Sequence, residues 1–359
     1  MKPVPYLRTN LTIQISSEGI AMTKILALLR EYPRYSQTYT ETELRYLRTR
    51  GHAVKVVSQK LPEFGGRTPE HQDYVYLDPR DTVGLTRLLD EFAPEVVHGH
   101  YVHHAPELFE VARRLDIPFT VRGHSYDILG HHQDELPSLA PMINSSLCRG
   151  ILTFPFTRSI LEAGGIASDK IVECWPVVDY ARFHDESDNG DAVINMGAAK
   201  PKKNFEAYLE LAARDRSGRT YSLYPLGEVT YPSAEIRRLN GELGEPVQVH
   251  QPVRHSAMRA IYKRHGWLVY TAKTKPRATL GWPMAVAEAQ AAGVGVCVQN
   301  ARPDLAEFVG PGELFDDLDQ AGEIIAQPPS AESRKRGFEH ARRSDVAEQM
   351  LVIERLWAS

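Results

Sequence analysis

The sequence predicts an α/β protein built from two doubly wound parallel sheets, and three observations predict it. Short apolar runs recur along the 359 residues, each followed by a loop and a helical stretch, which is the alternation of βαβ units. The runs are near-continuous rather than alternating, as expected for strands covered on both faces. An acidic stretch with a glycine, Asp185 to Asp191, divides the pattern into two similar halves, and the length supports a core for each.

Composition narrows the function. Hydrophobic residues make up 42% and charged residues 25%, ordinary for a soluble globular protein, and the net charge of −4 gives no reason to expect a nucleic-acid partner. Three cysteines, Cys148, Cys174 and Cys297, are widely separated and odd in number, so neither a disulfide framework nor a metal spacing follows. A cytoplasmic location is the simplest expectation. No apolar run approaches the roughly 20 residues that span a bilayer. Residues 1–22 read as a loose polar arm, with Met22 an alternative physiological start.

In the first half, Thr23 to Leu29 reads as a strand, a helix follows through Leu44 and Leu47 to Gly51, and Ala53 to Val57 resumes the strand pattern. Ligands of doubly wound sheets bind outside the carboxyl ends of the strands, which places Ser36 and Thr38 beside a cleft, either as ligand contacts or as helix caps. Glu95 to His98 reads as the next strand, with Gly99 to His104 as its loop. A helix through Leu108, Val111 and Leu115 leads to the strand Ile117 to Val121, and then come His124 and Asp127. The histidines are usable metal ligands, but they are spread over separate loops without a clear carboxylate shell, so no metal is expected. His124 follows a strand end at the cleft and is the strongest functional candidate of this half. Gly150 to Phe154 and Ile171 to Trp175 complete the strands.

In the second half, Asp191 to Gly197 opens a strand, and the loop Ala198 to Asn204 carries Lys200, Lys202 and Lys203 to the start of a helix. A lysine loop at a helix start after a strand suits a phosphate, by charge and N–H groups together; a solvated basic turn is the plainer reading. Tyr221 to Gly227, Val247 to His250 and Trp267 to Tyr270 read as strands, with Val253 on a loop and a helix through Met258 and Ile261. Gly281, Trp282 and Pro283 then feed a short alanine-rich helix that contains Glu288 and stops at Gly293 before the run Val294 to Val298. The start of that helix suits an anion, and Glu288 could accept hydrogen bonds from neutral hydroxyls beside it.

The stretch from Gly281 to Gly293 resembles the nucleotide-sugar signature of retaining glycosyltransferase family 4 (glycosyl transferase group 1), matching at Gly281, Trp282, Pro283, Glu288, Ala289 and Gly293. The family's first glutamate falls on Leu280. Tyr32 to Tyr39 with Leu47 to Val54 is similar to a subset of that family, and His98-x-His100 and Gly123-His124-x-x-Asp127-Ile128 resemble further landmarks. Pro176 to Phe183 resembles the interdomain segment, and Pro303 to Val309 a helix on the donor side. Lys203 lands on a diphosphate-binding lysine, while the companion arginine is Ala198.

The resemblance implies the GT-B fold, two Rossmann-like domains facing across a cleft. Residues 1–180 would form the acceptor side, 181–335 the nucleotide-sugar domain, and 336–359 a helix returning to the first domain. It implies a retaining, metal-independent glycosyltransferase acting on a polysaccharide, glycolipid or other glycoconjugate, with no cofactor beyond the nucleotide sugar. Lys203 would hold the diphosphate, Glu288 the ribose, Val253 the base, and His124 would lie by the reacting carbon. Ser36, Thr38 and Asp127 would border the acceptor. A lipid-linked acceptor would bring the protein to the inner face of a membrane. The alternatives are a non-catalytic binding or scaffold protein, favoured by Leu280 and Ala198, and a nucleotide-sugar epimerase on the same fold.

Overall fold

The computed structural model describes residues 22–34, 37–61, 74–130, 132–175, 177–226, 233–273 and 283–358. Two parallel sheets carry it. The first contains β1 (Lys24–Glu31), β2 (Ala53–Lys60), β3 (Val75–Tyr76), β4 (Val96–His100), β5 (Phe119–Arg122), β6 (Cys148–Thr153) and β7 (Ile171–Glu173), in the order β3-β2-β1-β4-β5-β6-β7. The second contains β8 (Ala192–Ala198), β9 (Tyr221–Leu226), β10 (Gln248–Val249), β11 (His265–Tyr270), β12 (Gly295–Gln299) and β13 (Leu314–Phe315), in the order β10-β9-β8-β11-β12-β13. Counted from β8, the second order repeats the first through six strands. Each sheet reverses direction beside its first strand, between β1 and β4 and between β8 and β11.

The near-continuous apolar runs form these strands because helices cover both faces. Ile25, Leu26 and Ala27 of β1 and Leu268 and Val269 of β11 have no exposed surface. The alanine-rich helix Met284–Ala291 is buried nearly all round, between the second sheet and the helix Ala331–Arg343. Small side chains allow that approach: at Gly337 an added Cβ would already touch Gln290 Cγ at 3.4 Å.

Several boundaries differ from the sequence reading. β4 runs on through Gly99 and His100, because both pair with β5, at Val121 and Arg122. Pro303–Glu307 is a 3₁₀ segment rather than an α-helix. The helix Ser233–Glu242, absent from that reading, fills the connection between β9 and β10.

The return to the first half begins after Arg343, not at 336, since 336 lies inside the helix packed on the second half. There the two crossing segments pair: Val178 N–H donates to Ser344 O at 2.7 Å and Val346 N–H to Val178 O at 2.8 Å. The last helix, Val346–Ala358, then buries Met350 and Ile353 against Ile25, Leu47, Val96 and Leu152 of the first half.

Ile353 is fully buried there. Ile353→Ala is expected to lower stability by about 2–5 kcal/mol, whereas Arg355→Ala on the exposed face of the same helix should change it by under about 0.5 kcal/mol. Urea unfolding of the two variants measures both.

Candidate functional site

A cavity of about 850 Å³ lies between the two sheets, at the carboxyl ends of the strands flanking both reversals. Leu29 and Arg30 of β1, His100 of β4, Ala198 of β8 and Tyr270 of β11 all line it. The topology dictates this place, since helices leave opposite faces at a reversal and open a crevice between them.

On the second-half wall, Gly197 adopts a φ of +145°, and an added Cβ would lie 3.3 Å from Lys203 Cε. Glycine therefore lets the lysine fold back over the strand end. The Lys203 ammonium lies 4.3 Å from the centroid of the Tyr270 ring and donates to the Tyr270 hydroxyl. Burial, with the nearby Lys200 charge, lowers its pKa to about 8. Lys200 and Lys202 line the same wall.

Glu288 sits in the helix Met284–Ala291, whose first residues, Met284 and Ala285, face the cavity. Its carboxylate is already anchored: His255 Nε2 lies 2.8 Å from Oε1, and the Tyr262 hydroxyl donates to Oε2 at 3.0 Å. Val253 and His255 share one short segment of the cavity wall. Pro283 is buried behind the start of the helix, where its carbonyl accepts from Val286 N–H at 2.8 Å.

On the first-half wall, His124 lines the cavity within a group of rings. Its centroid is 4.4 Å from Tyr101, 5.0 Å from Tyr39 and 5.3 Å from His100. Burial lowers the His124 pKa well below the usual imidazole value, so the ring is neutral. Tyr101 carries backbone strain, with φ +74° and ψ +122° in a residue that is not glycine. Such a conformation costs on the order of 1–3 kcal/mol and persists only where its surroundings hold it. Here the Tyr101 N–H donates to Arg122 O at 2.7 Å and the phenol accepts from Gln37 Nε2 at 2.7 Å.

Thr38 opens the helix Thr38–Thr49 and lines the cavity. Ser36, Gly281 and Trp282 lie outside the described residues, as does Leu280. Asp127 corrects the sequence expectation. It is fully buried behind the first-half wall rather than on it, because its carboxylate accepts from the N–H groups of Val102 and His124, the latter at 2.8 Å. It therefore ties two loops together behind His124.

Tyr39, Tyr101, His255 and Glu43 were not singled out by sequence reasoning. Only the aromatic spacing of Tyr32 to Tyr39 and the tyrosine following His100 offered a signal.

The structure also gathers one set of donors that the sequence scattered. Ligand atoms of Glu43, His98 and His100 lie within 4.8 Å of one another, all buried. The spacing suits a metal, but the charges do not. Arg122 Nε sits 2.8 Å from the other Glu43 oxygen, so its cation already balances the single carboxylate, and a buried dication would lack compensation.

Comparison with known proteins places this geometry. Residues 36–179 match the family model described as Glycosyltransferase Family 4. No curated protein matches the chain by sequence. Among solved structures, HepE of Anabaena in complex with UDP and glucose is similar at a TM-score of 0.73 and 14% identity, covering 94% of this chain and 100% of its own. Sucrose-phosphate synthase of Thermosynechococcus elongatus is similar at 0.70 and 16%, covering 92% of this chain and 98% of its own. A glycosyltransferase from Rickettsia africae is similar at 0.65 and 13%, covering 93% and 96%. The fold is GT-B, and the first half carries the family 4 match.

Burial raises the Asp127 pKa to about 7, against the opposing pull of its backbone hydrogen bonds. The folded state therefore holds this proton through a range in which the unfolded carboxyl has lost it. The sign follows: stability from this group is full below the ordinary carboxyl range and is lost as pH rises through about 7. The difference in unfolding free energy between wild type and Asp127→Asn should follow that course between pH about 4 and about 8, as urea titrations at a series of pH values would show.

Proposed function

We propose that this protein is a retaining glycosyltransferase that moves a hexose from a nucleotide-diphosphate sugar, of the UDP class, to a saccharide-bearing acceptor. One observation carries the reading: a single cavity joins the two strand-order reversals, with Lys203 and Glu288 on one wall and His124 on the other. HepE, whose structure holds UDP and glucose, supports the donor class.

In this reading the second half grips the donor. The Lys203 ammonium and the first turn of the helix Met284–Ala291 neutralise the diphosphate as it leaves, worth most in a site shielded from water. Lys200, on the same wall and close enough to lower the Lys203 pKa, supplies the second positive charge that Ala198 does not. Glu288, held from both sides by His255 and Tyr262, accepts from the ribose hydroxyls. Val253 packs on the base. His124, neutral, stacked on His100 and tilted against Tyr39 and Tyr101, makes one hydrogen bond at the transferred sugar. Retention follows from attack on the face that the diphosphate leaves, with no protein nucleophile assigned. Thr38 and the ring-lined first-half wall border the acceptor, and a glycolipid acceptor would place the protein at a membrane surface.

A thermal-shift screen against UDP, GDP, ADP and their sugars tests the donor side. A ligand at 100 times its dissociation constant stabilises the folded state by about 2.7 kcal/mol, so one nucleotide class should raise Tm clearly. Lys203→Ala and Glu288→Ala should abolish the rise while unfolding as cooperatively as wild type. No rise with any nucleotide would favour the scaffold alternative.

The Lys203 pKa of about 8 gives a second outcome. The ammonium binds the diphosphate and the neutral amine does not, so UDP affinity should fall as pH rises above about 8 in wild type. It should stay flat over the same range in Lys203→Arg. Titration calorimetry across that range checks the sign.

A further inference from the structure

Glu43 lies beneath the cavity floor, on the inner face of the helix Thr38–Thr49, with no exposed surface. One carboxylate oxygen, Oε2, accepts from Arg122 Nε at 2.8 Å. The other, Oε1, faces two imidazole nitrogens, His98 Nε2 at 2.7 Å and His100 Nε2 at 3.7 Å. His98 and His100 alternate along β4, so both rings stand on the sheet face that this helix covers. Neither contact is aligned as a hydrogen bond. The coupling is therefore electrostatic, and it is strong because the site is dry. A carboxylate attracts a ring N–H and repels a bare ring lone pair.

We propose that Glu43 is a positioning residue that sets the ring tautomer of His124 through His100. With its proton held on Nε2 by Glu43, His100 presents only a lone pair at Nδ1. That Nδ1 lies 3.1 Å from His124 Nε2, so His124 carries its own proton on Nε2 and donates it. Its Nδ1 is left as an acceptor. The second branch obeys the same logic. His98 Nδ1, bare, lies 2.8 Å from Thr120 Oγ1, whose hydroxyl donates to it, while that oxygen accepts from Trp357 Nε1 at 3.1 Å.

Each hydroxyl and each neutral imidazole in the chain thus has one proton and one use for it. Neutrality of the two rings is supported by burial, which lowers His100 to about 4 and His124 well below the usual imidazole value. Although burial alone would raise Glu43, the Arg122 charge and the flanking imidazoles hold its carboxyl well below the ordinary range. In a glycosyltransferase, and only on that reading, a sugar hydroxyl that meets Nδ1 of His124 would donate to it.

The test is NMR of the ring nitrogens in the full-length protein labelled with ¹⁵N-histidine. No nucleotide sugar is added, so failure to bind a donor leaves this measurement intact. His98, His100 and His124, assigned with single His→Gln variants, should each show a protonated Nε2 and a bare Nδ1. A bare Nε2 at His124 in wild type overturns the proposal, whatever the variants do.

Glu43→Gln can keep its oxygen toward Arg122 and turn an amide N–H toward the rings. That should move the His124 proton to Nδ1 in a protein with an intact near-ultraviolet spectrum. An unchanged His124 tautomer in that folded variant also overturns the proposal. So does stoichiometric zinc in the purified wild type by metal analysis, because rings ligated through Nε2 carry their proton on Nδ1.

Discussion

The constraint behind this structure is the reversal of strand order beside the first strand of each sheet. A parallel strand needs a crossover, and crossovers of one hand on either side of β1 must leave on opposite faces. The carboxyl ends of β1 and β4 are therefore left uncovered, and the same holds at β8 and β11. His100, Tyr101, Lys203 and Tyr270 lie at those ends or just after them, while His124, His255 and Glu288 come in from the neighbouring β5 and β10 loops and the helix Met284–Ala291. The paired crossing at Val178 and Val346, with the last helix clamped to the first sheet, sets the two crevices against each other as one cavity.

Around that cavity the protein buries several ionisable groups. Glu43, Arg122, Asp127 and Glu288 are all nearly or wholly buried. Burying a charge costs free energy even when it is paired, and apolar residues of similar size often serve stability as well or better. Their partners explain what the arrangement achieves. Asp127 holds the backbone of His124, His255 and Tyr262 hold Glu288, and Arg122 holds Glu43 beneath the histidines. Asp127 thereby fixes the backbone of His124 at the cavity wall, and Glu288 is itself held there in one direction, which is what preorganisation requires.

How much of this the sequence disclosed depended on the range of the interaction. The strands were legible because burial on both faces writes a continuous apolar run, as in Thr23 to Leu29. Lys203 and Glu288 were legible because each sits in a local loop-to-helix pattern. The end of β4 was not, since Gly99 and His100 look like loop residues until pairing with β5 claims their backbone. The Asp127 carboxylate looked available because its partner Val102 belongs to another loop. The left-handed backbone of Tyr101 has no local signal, because tyrosine gives no hint of a positive φ. Glu43 met His98 and Arg122 only through the packing of the helix Thr38–Thr49 across β4 and β5. Pairs separated that far in sequence are set by topology, which residue spacing does not encode.

At the proposed donor site, Lys203 and Glu288 already have protein partners. Neither group's hydrogen-bonding capacity is filled by them. A carboxylate offers about four lone-pair directions and an ammonium three donors. Among the described residues, Glu288 uses two acceptor positions, for His255 and Tyr262, and Lys203 one donor, for the Tyr270 hydroxyl. About two acceptor positions on Glu288 and two donors on Lys203 remain, enough for a pair of vicinal hydroxyls and for two oxygens of a phosphate. The existing partners remove rotational freedom without filling the valence. Such a site takes up its ligand with little reordering, so more of the contact energy is retained as affinity.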